Sequence, residues 1–220
     1  LRSPAAFVRT ASPEALFAIS GISQYAGAAI AVTLFQELPP ATVAFFRVAA
    51  GAMFVLAISV RQLRGWTARD VRAAAIFGIA TALMNLFFYL AIDRLPLGKS
   101  VVLEFIGPIC VAAALTRTRR NTIALLLAAG GVAILSGVEI GGEPLGIAFI
   151  LGASAMWAAY IVLGRRVASL DRGLSGLAVG LVIGSLVILP FGLGGMGDVF
   201  GSSRLLTQCV LVGLLSSAVG

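Results

Sequence analysis

The chain has 220 residues, of which 60% are hydrophobic and 11% are charged. Because a soluble domain carries about 25% charged residues, this composition excludes an ordinary soluble protein and indicates an integral membrane protein. The net charge of +7 comes from arginines in short clusters between apolar runs, a pattern that argues against a nucleic-acid partner. The sequence has no histidine, so we expect no metal site, no cofactor and no His-based catalysis.

Hydrophobic runs of about 20 residues, each long enough to cross a bilayer as a helix, follow one another along the chain. The first run is longer than the apolar region of a signal peptide, which has about 7 to 15 residues. Because the last run continues up to Gly220 and the chain has no initiating methionine, we expect a piece of a longer protein. The sequence predicts an all-α integral membrane protein, a polytopic helical bundle of about eight helices, with spans near 15–35, 41–60, 73–92, 95–116, 122–138, 145–164, 173–192 and from 205 onward.

Basic residues are distributed unequally between the two sides of the predicted membrane. The side of the N-terminus carries 12 Lys and Arg residues and the opposite side carries 3, while Arg47 lies within the second span. Cytoplasmic loops of membrane proteins are enriched in Lys and Arg. We therefore expect the N-terminus to be cytoplasmic.

The fourth predicted span contains three residues that membrane helices normally exclude. Glu104 lies inside it, and Gly107 and Pro108 stand at its middle. A carboxylate at this depth costs about 2.5 to 3.5 kcal/mol on insertion scales, and a proline removes a backbone hydrogen bond. Backbone groups without partners are tolerated in a membrane only where they line a cavity, as in the broken helices of transporters. The pattern predicts a transporter with its solute site at this helix break.

Three polar residues from different spans lie at similar depth. Arg47 and Glu104 are six and nine residues from the outer starts of their spans, and Asn85 is seven residues from the outer end of its span. At 1.5 Å per residue all three lie about 9 to 14 Å below the outer surface. We expect Glu104 to attract an ammonium or take a coupling proton, Arg47 to face a carboxylate, and Asn85 and Tyr89 to supply hydrogen bonds. The alternative is a purely structural ion pair between Arg47 and Glu104.

Three further residues lie near the midplane of the first and sixth spans. They are Gln24, Trp157 and Tyr160. We expect them to form the walls and gate of a central cavity, with ordinary helix packing as the alternative.

Small residues elsewhere have a structural interpretation. Gly176, Gly180 and Gly184 repeat every four residues on the seventh span and predict close helix packing. Cys110 and Cys209 lie inside apolar runs and are expected to be buried apolar residues, not a disulfide pair.

A weak internal similarity relates the first and sixth spans. A shift of 132 residues places Tyr25 on Trp157 and several small residues on small residues. Five spans separate the two copies, and because five is odd the second copy enters the membrane from the opposite side, as in inverted repeats. We expect a first repeat at 1–138 and an incomplete second repeat at 145–220.

The segment 85–108, NLFFYLAIDRLPLGKSVVLEFIGP, carries a family resemblance. Together with Arg47 and the charge pattern it resembles the EamA-type drug/metabolite transporter superfamily, and it is most similar to bacterial exporters of threonine and homoserine. Their corresponding helix pair has Tyr-Leu, Pro-Leu-Gly and Leu-Glu-Phe followed by Gly-Pro. The resemblance implies a bacterial inner-membrane protein with ten helices in two inverted five-helix repeats. Lys99 is not part of that pattern, so the charge preference for substrate stays open.

The sequence therefore predicts a secondary-active exporter of amino acids or related small polar metabolites that works by alternating access and is not an enzyme. One alternative is a drug, nucleoside or nucleotide-sugar carrier of the same fold. Another is a membrane-embedded enzyme or a non-transporting scaffold or channel subunit. The expected partners are a small-molecule substrate and the lipid bilayer, with protons and a second copy of the chain in a homodimer as further candidates.

Overall fold

A computed structural model describes residues 13–63, 65–116, 118–135, 143–170 and 174–217, and within these ranges the regular structure is helical throughout. Short 3-10 turns at Val60–Gln62 and Leu193–Gly195 extend two of the helices. The helices are α1 (Pro13–Leu34), α2 (Pro40–Ser59), α3 (Ala68–Ile92), α4 (Leu97–Glu104), α5 (Ile106–Leu115), α6 (Arg119–Leu135), α7 (Pro144–Ala168), α8 (Leu174–Gly192), α9 (Met196–Gly201) and α10 (Ser203–Ser217).

Five helical segments of the described chain are long and apolar enough to cross a membrane. Shorter apolar helical stretches lie in α1 and α10. These helices confirm the predicted all-α polytopic fold. The membrane-length segments are Pro40–Gln62, Ala68–Ile92, Leu97–Leu115, Pro144–Ala168 and Leu174–Gly201.

The third span begins at Ala68, five residues before its predicted start. Thr67 and Asp70 form a capping box there: Thr67 Oγ1 accepts from the Asp70 N–H at 3.2 Å, and Asp70 Oδ2 accepts from the Thr67 N–H at 3.1 Å. These two bonds satisfy backbone donors that a helix start leaves open, so the helix extends beyond its apolar run. The predicted end of the fifth span, 136–138, lies outside the described residues.

Helix α3 lies at the centre of the bundle and packs along both α7 and α8. Helix α2 packs against α8 and α10, and α1 packs against α10. A β-carbon at Gly78 of α3 would overlap the backbone of Gly180 in α8, and one at Gly184 would overlap the Gly78 carbonyl. Two of the three glycines expected at a packing seam therefore bring α3 and α8 into backbone contact, whereas Gly176 faces Val167 of α7.

The two cysteines lie in different environments. Cys209 is buried, as expected, but Cys110 is exposed, so its predicted burial is wrong. Helix α5 is apolar on all sides and of its residues only Gly107 is buried. In a membrane the remaining surface of α5 is solvated by lipid, and apolar sequence therefore does not imply burial within the protein.

Candidate functional site

The fourth span is interrupted at Phe105, between α4 and α5. Pro108 lacks the N–H that would bond to the carbonyl of Glu104, four residues earlier, so the helix loses a bond at the acidic residue itself. The Gly107 N–H donates to Ser154 Oγ on α7 at 2.7 Å. A β-carbon at Gly107 would overlap the Ser154 carbonyl, so this approach requires glycine. The break is thus held by a specific contact with the neighbouring helix.

A cavity of about 540 Å³ lies beside this break and is lined by residues of α1, α2, α3, α4, α7, α8 and α10. Of the seven residues predicted to form the site, all but Tyr89 line it. The six are Gln24, Arg47, Asn85, Glu104, Trp157 and Tyr160. The structure thus brings residues from five helices to one cavity.

Tyr89 does not line the cavity, but it holds Arg47, which does. Its Nη1 donates to the hydroxyl of Tyr89 at 3.2 Å, and its guanidinium carbon lies 5.3 Å from the centre of the Tyr89 ring. Tyr89 is fully buried and meets the edge of Phe35 with ring centres 5.7 Å apart. Arg47 is 6% exposed, and its Nε has no hydrogen-bond partner. Tyr89 therefore orients the guanidinium of Arg47, a residue that lines the cavity.

Glu104 lines the same cavity and is also 6% exposed. The positive charge of Arg47 acts on it, but the two side chains form no direct ion pair among the described residues. A buried pair that merely neutralised two charges would need close contact, because direct attraction must offset the loss of hydration. Arg47 and Glu104 therefore line one cavity as two buried opposite charges without direct contact.

Asn85 differs from both charged residues because its own helix supplies a partner. Its Nδ2 donates to the carbonyl of Thr81 at 2.8 Å, and Thr81 Oγ1 donates to the carbonyl of Phe77 at 2.8 Å. An amide has two donors and one acceptor oxygen, so one such bond leaves capacity for a ligand.

Aromatic side chains form much of the remaining wall. Trp157 packs on Phe105, the residue at the helix break, with ring centres 5.1 Å apart. Tyr160 packs on Phe77 with ring centres 5.0 Å apart. Both predicted wall residues therefore line the cavity and also pack against neighbouring helices.

Two residues that the sequence did not single out as site residues belong to this arrangement. Tyr25 lines the cavity beside Gln24, and it is the residue that the internal similarity places on Trp157. Ser154 accepts the bond from Gly107. The internal similarity was an available signal for Tyr25, but nothing in the sequence distinguishes Ser154 from other small residues of a membrane helix.

The cavity extends toward one end of the bundle. Ile58, Leu174 and Ser216 line it near the end of α2, the start of α8 and the end of α10, on the side where α1 begins. On the other side of the polar residues, Leu34 and Val43 are buried where α1 ends and α2 begins. The cavity therefore reaches from the α1-start side to the polar residues, and packed side chains close the opposite side.

Comparison with known proteins gives relatives but no matching family model and no significant match to a solved structure. The chain is 34% identical over 208 residues to the threonine/homoserine exporter RhtA of Salmonella typhimurium (strain LT2), a match that covers 93% of this chain and 69% of that protein. It is 31% identical over 211 residues to the protein of the same name from Escherichia coli (strain K12), covering 94% of this chain and 71% of that protein. The chain is thus a multi-pass inner-membrane protein that belongs to the family of bacterial threonine/homoserine exporters, in the drug/metabolite transporter superfamily.

Proposed function

We propose that this protein exports threonine, homoserine or a closely related small amino acid by alternating access around the central cavity. The observation that carries the proposal is the separation of Arg47 and Glu104, two buried opposite charges on one cavity without a direct bond between them. A zwitterionic amino acid presents a carboxylate and an ammonium and can satisfy both. The names of the relatives support export and point away from an enzyme.

In this proposal each polar residue has a distinct role. Arg47, oriented by Tyr89, donates to the substrate carboxylate through its guanidinium group. Glu104 accepts from the ammonium, and the C-terminal end of α4 adds partial negative charge at the same place. Asn85 and Gln24 line the cavity with amides suited to a side-chain hydroxyl, which threonine and homoserine both carry.

We infer the direction of transport from the orientation of the chain in the membrane. The excess of Lys and Arg on the side of the N-terminus favours a cytoplasmic N-terminus. With that orientation the cavity extends toward the cytoplasm and is closed toward the outside. This is the arrangement from which an exporter loads its substrate.

Proton coupling through Glu104 is part of the proposal. A carboxyl in a water-poor cavity can exchange a proton with one side of the membrane in one conformation and with the other side in the next. Protonation removes the charge that holds the ammonium, so proton entry promotes substrate release. We also propose that 1–138 and 145–220 are inverted repeats, which is supported by Tyr25 and Trp157, equivalent under the internal shift, facing the same cavity.

Counterflow in liposomes tests this function. The full chain is reconstituted with unlabelled threonine inside, and uptake of labelled threonine, homoserine, leucine, lysine, glutamate and a nucleoside is compared, with protein-free liposomes as the control. We expect accumulation of threonine and homoserine and little nucleoside exchange. Exchange of the nucleoside without any amino acid would favour the alternative carrier, and exchange of nothing would favour a scaffold.

A further inference from the structure

A second cavity of about 550 Å³ lies at the end of the bundle where α3 begins and α7 ends. We call it the basic cleft. Three arginines and several apolar side chains of α3, α7 and the residues just after α7 line it. The arginines are Arg69, Arg72 and Arg166, and the apolar residues include Ile76, Leu163 and Leu170.

The charge of the basic cleft is not balanced by the protein around it. None of its three arginines forms an ion pair with another described residue. The nearby carboxylate of Asp70 is buried and takes part in the capping box, and Asp171 lies outside the described residues. Arg69 also stands in the first turn of α3, where the helix dipole disfavours a cation. All three arginine side chains are exposed, so an anion from outside the protein can reach them.

The surroundings of the basic cleft indicate where that anion comes from. Ile76 is 45% exposed and continues from the cleft along α3, which is a membrane-spanning helix. Leu163 lies in the last turns of α7, another spanning helix. A ligand in this position has its charged group among guanidinium groups and its apolar part against the hydrophobic surface of the bundle. That is the geometry of a phospholipid and not of a free soluble anion.

We propose that the basic cleft binds the phosphate headgroup of an anionic phospholipid from the leaflet on the side of the N-terminus. The planar guanidinium groups donate to phosphate oxygens in pairs, and the acyl chain lies over Ile76 and Leu163. This site is separate from the central cavity and does not depend on which solute is transported.

Native mass spectrometry of the purified full chain tests the site. Delipidated protein is titrated with phosphatidylglycerol or with phosphatidylcholine, and the bound fraction is measured. Three variants are compared with the original chain: Arg69→Ala/Arg72→Ala/Arg166→Ala, the same three positions changed to Lys, and Arg119→Ala/Arg120→Ala/Arg165→Ala. The last is a matched control, because it removes three charges from the same side of the bundle, none of which lines the cleft.

At about a factor of five per charge, we expect the cleft Ala variant to bind phosphatidylglycerol on the order of 100-fold more weakly. The Lys variant should bind phosphatidylglycerol more weakly than the original chain but more tightly than the Ala variant, because lysine keeps the charge and loses the paired donors. The control variant should keep most of the binding, and phosphatidylcholine should bind weakly to all. Equal loss in the control variant, unchanged binding in the cleft Ala variant, or displacement of the lipid by an excess of inorganic phosphate would each overturn the proposal.

Discussion

Helix α3 and the broken pair α4–α5 both contain polar residues inside the membrane, but the hydrogen bonds of these residues differ. In α3, Thr81 and Asn85 bond to carbonyls of their own helix, and the helix continues without interruption from Ala68 to Ile92. In α4–α5 the helix stops at Glu104, whose carboxylate forms no ion pair with another described residue. At the break, the Gly107 N–H donates to another helix, to Ser154 Oγ of α7.

The comparison distinguishes polar side chains that form hydrogen bonds within their own helix from a buried charge that has no bonded partner among the described residues. An uncharged side chain that bonds to its own helix costs little, although the amide of Asn85 keeps capacity for a further bond to a ligand. A buried charge without a bonded partner is expensive, and it persists where a ligand or proton completes it. The contrast therefore supports the proposal that the solute binds at the broken helix, with α3 as its rigid support.

The largest effect is expected from Glu104→Gln, which keeps the shape of the side chain and removes its charge. Losing a charge-assisted hydrogen bond to the ammonium should slow threonine counterflow on the order of 100-fold. The remaining activity should no longer respond to a pH gradient. Counterflow with and without the gradient measures both effects.

Glu143→Gln is the matched control, because Glu143 is exposed and pairs with Arg94 at 3.0 Å. It should leave counterflow unchanged. A Glu104→Gln variant with the original rate and the original response to the gradient would remove Glu104 from the mechanism.

Gly78→Ala tests the close contact between α3 and α8, which makes α3 the rigid element of this comparison. The added methyl group would overlap the backbone of Gly180, so α3 and α8 must move apart. Overpacking of this kind should lower the free energy of unfolding by about 1 to 3 kcal/mol. Gly130→Ala in α6, where nothing lies within 4 Å of the new methyl, should instead be neutral or slightly stabilising. Unfolding of both variants in detergent measures the difference, and equal stability would contradict the close contact.

A smaller effect is expected from Ser154→Ala. The substitution removes the acceptor of the buried Gly107 N–H and should cost about 1 kcal/mol of stability, with a several-fold loss of counterflow because the break is less well held. Ser185→Ala removes a hydroxyl that bonds only to the carbonyl of Val182 in its own helix, so it should change counterflow little. If the two variants lose the same activity, the bond to Gly107 has no special role at the break.

The positions of the helices could be predicted from the sequence because lipid requires long apolar runs. The shared depth of Arg47, Asn85 and Glu104 could be predicted for the same reason, since helical rise converts residue counts into depth. The sequence could not show that Tyr89 would lie behind Arg47, because rotation of a helix about its axis depends on packing with its neighbours. The early start of α3 was readable from the capping box at Thr67 and Asp70, but a hydrophobicity pattern does not reveal it.

The central claim is that Arg47 recognises the carboxylate of a zwitterionic substrate. The most direct measurement is inhibition of labelled threonine counterflow by unlabelled threonine and by threoninamide, which lacks the carboxylate, in the original chain and in Arg47→Gln. We expect the original chain to prefer threonine by at least about 10-fold and the variant to lose this preference while residual exchange remains measurable. A variant that discriminates between the two compounds as well as the original chain would contradict the claim.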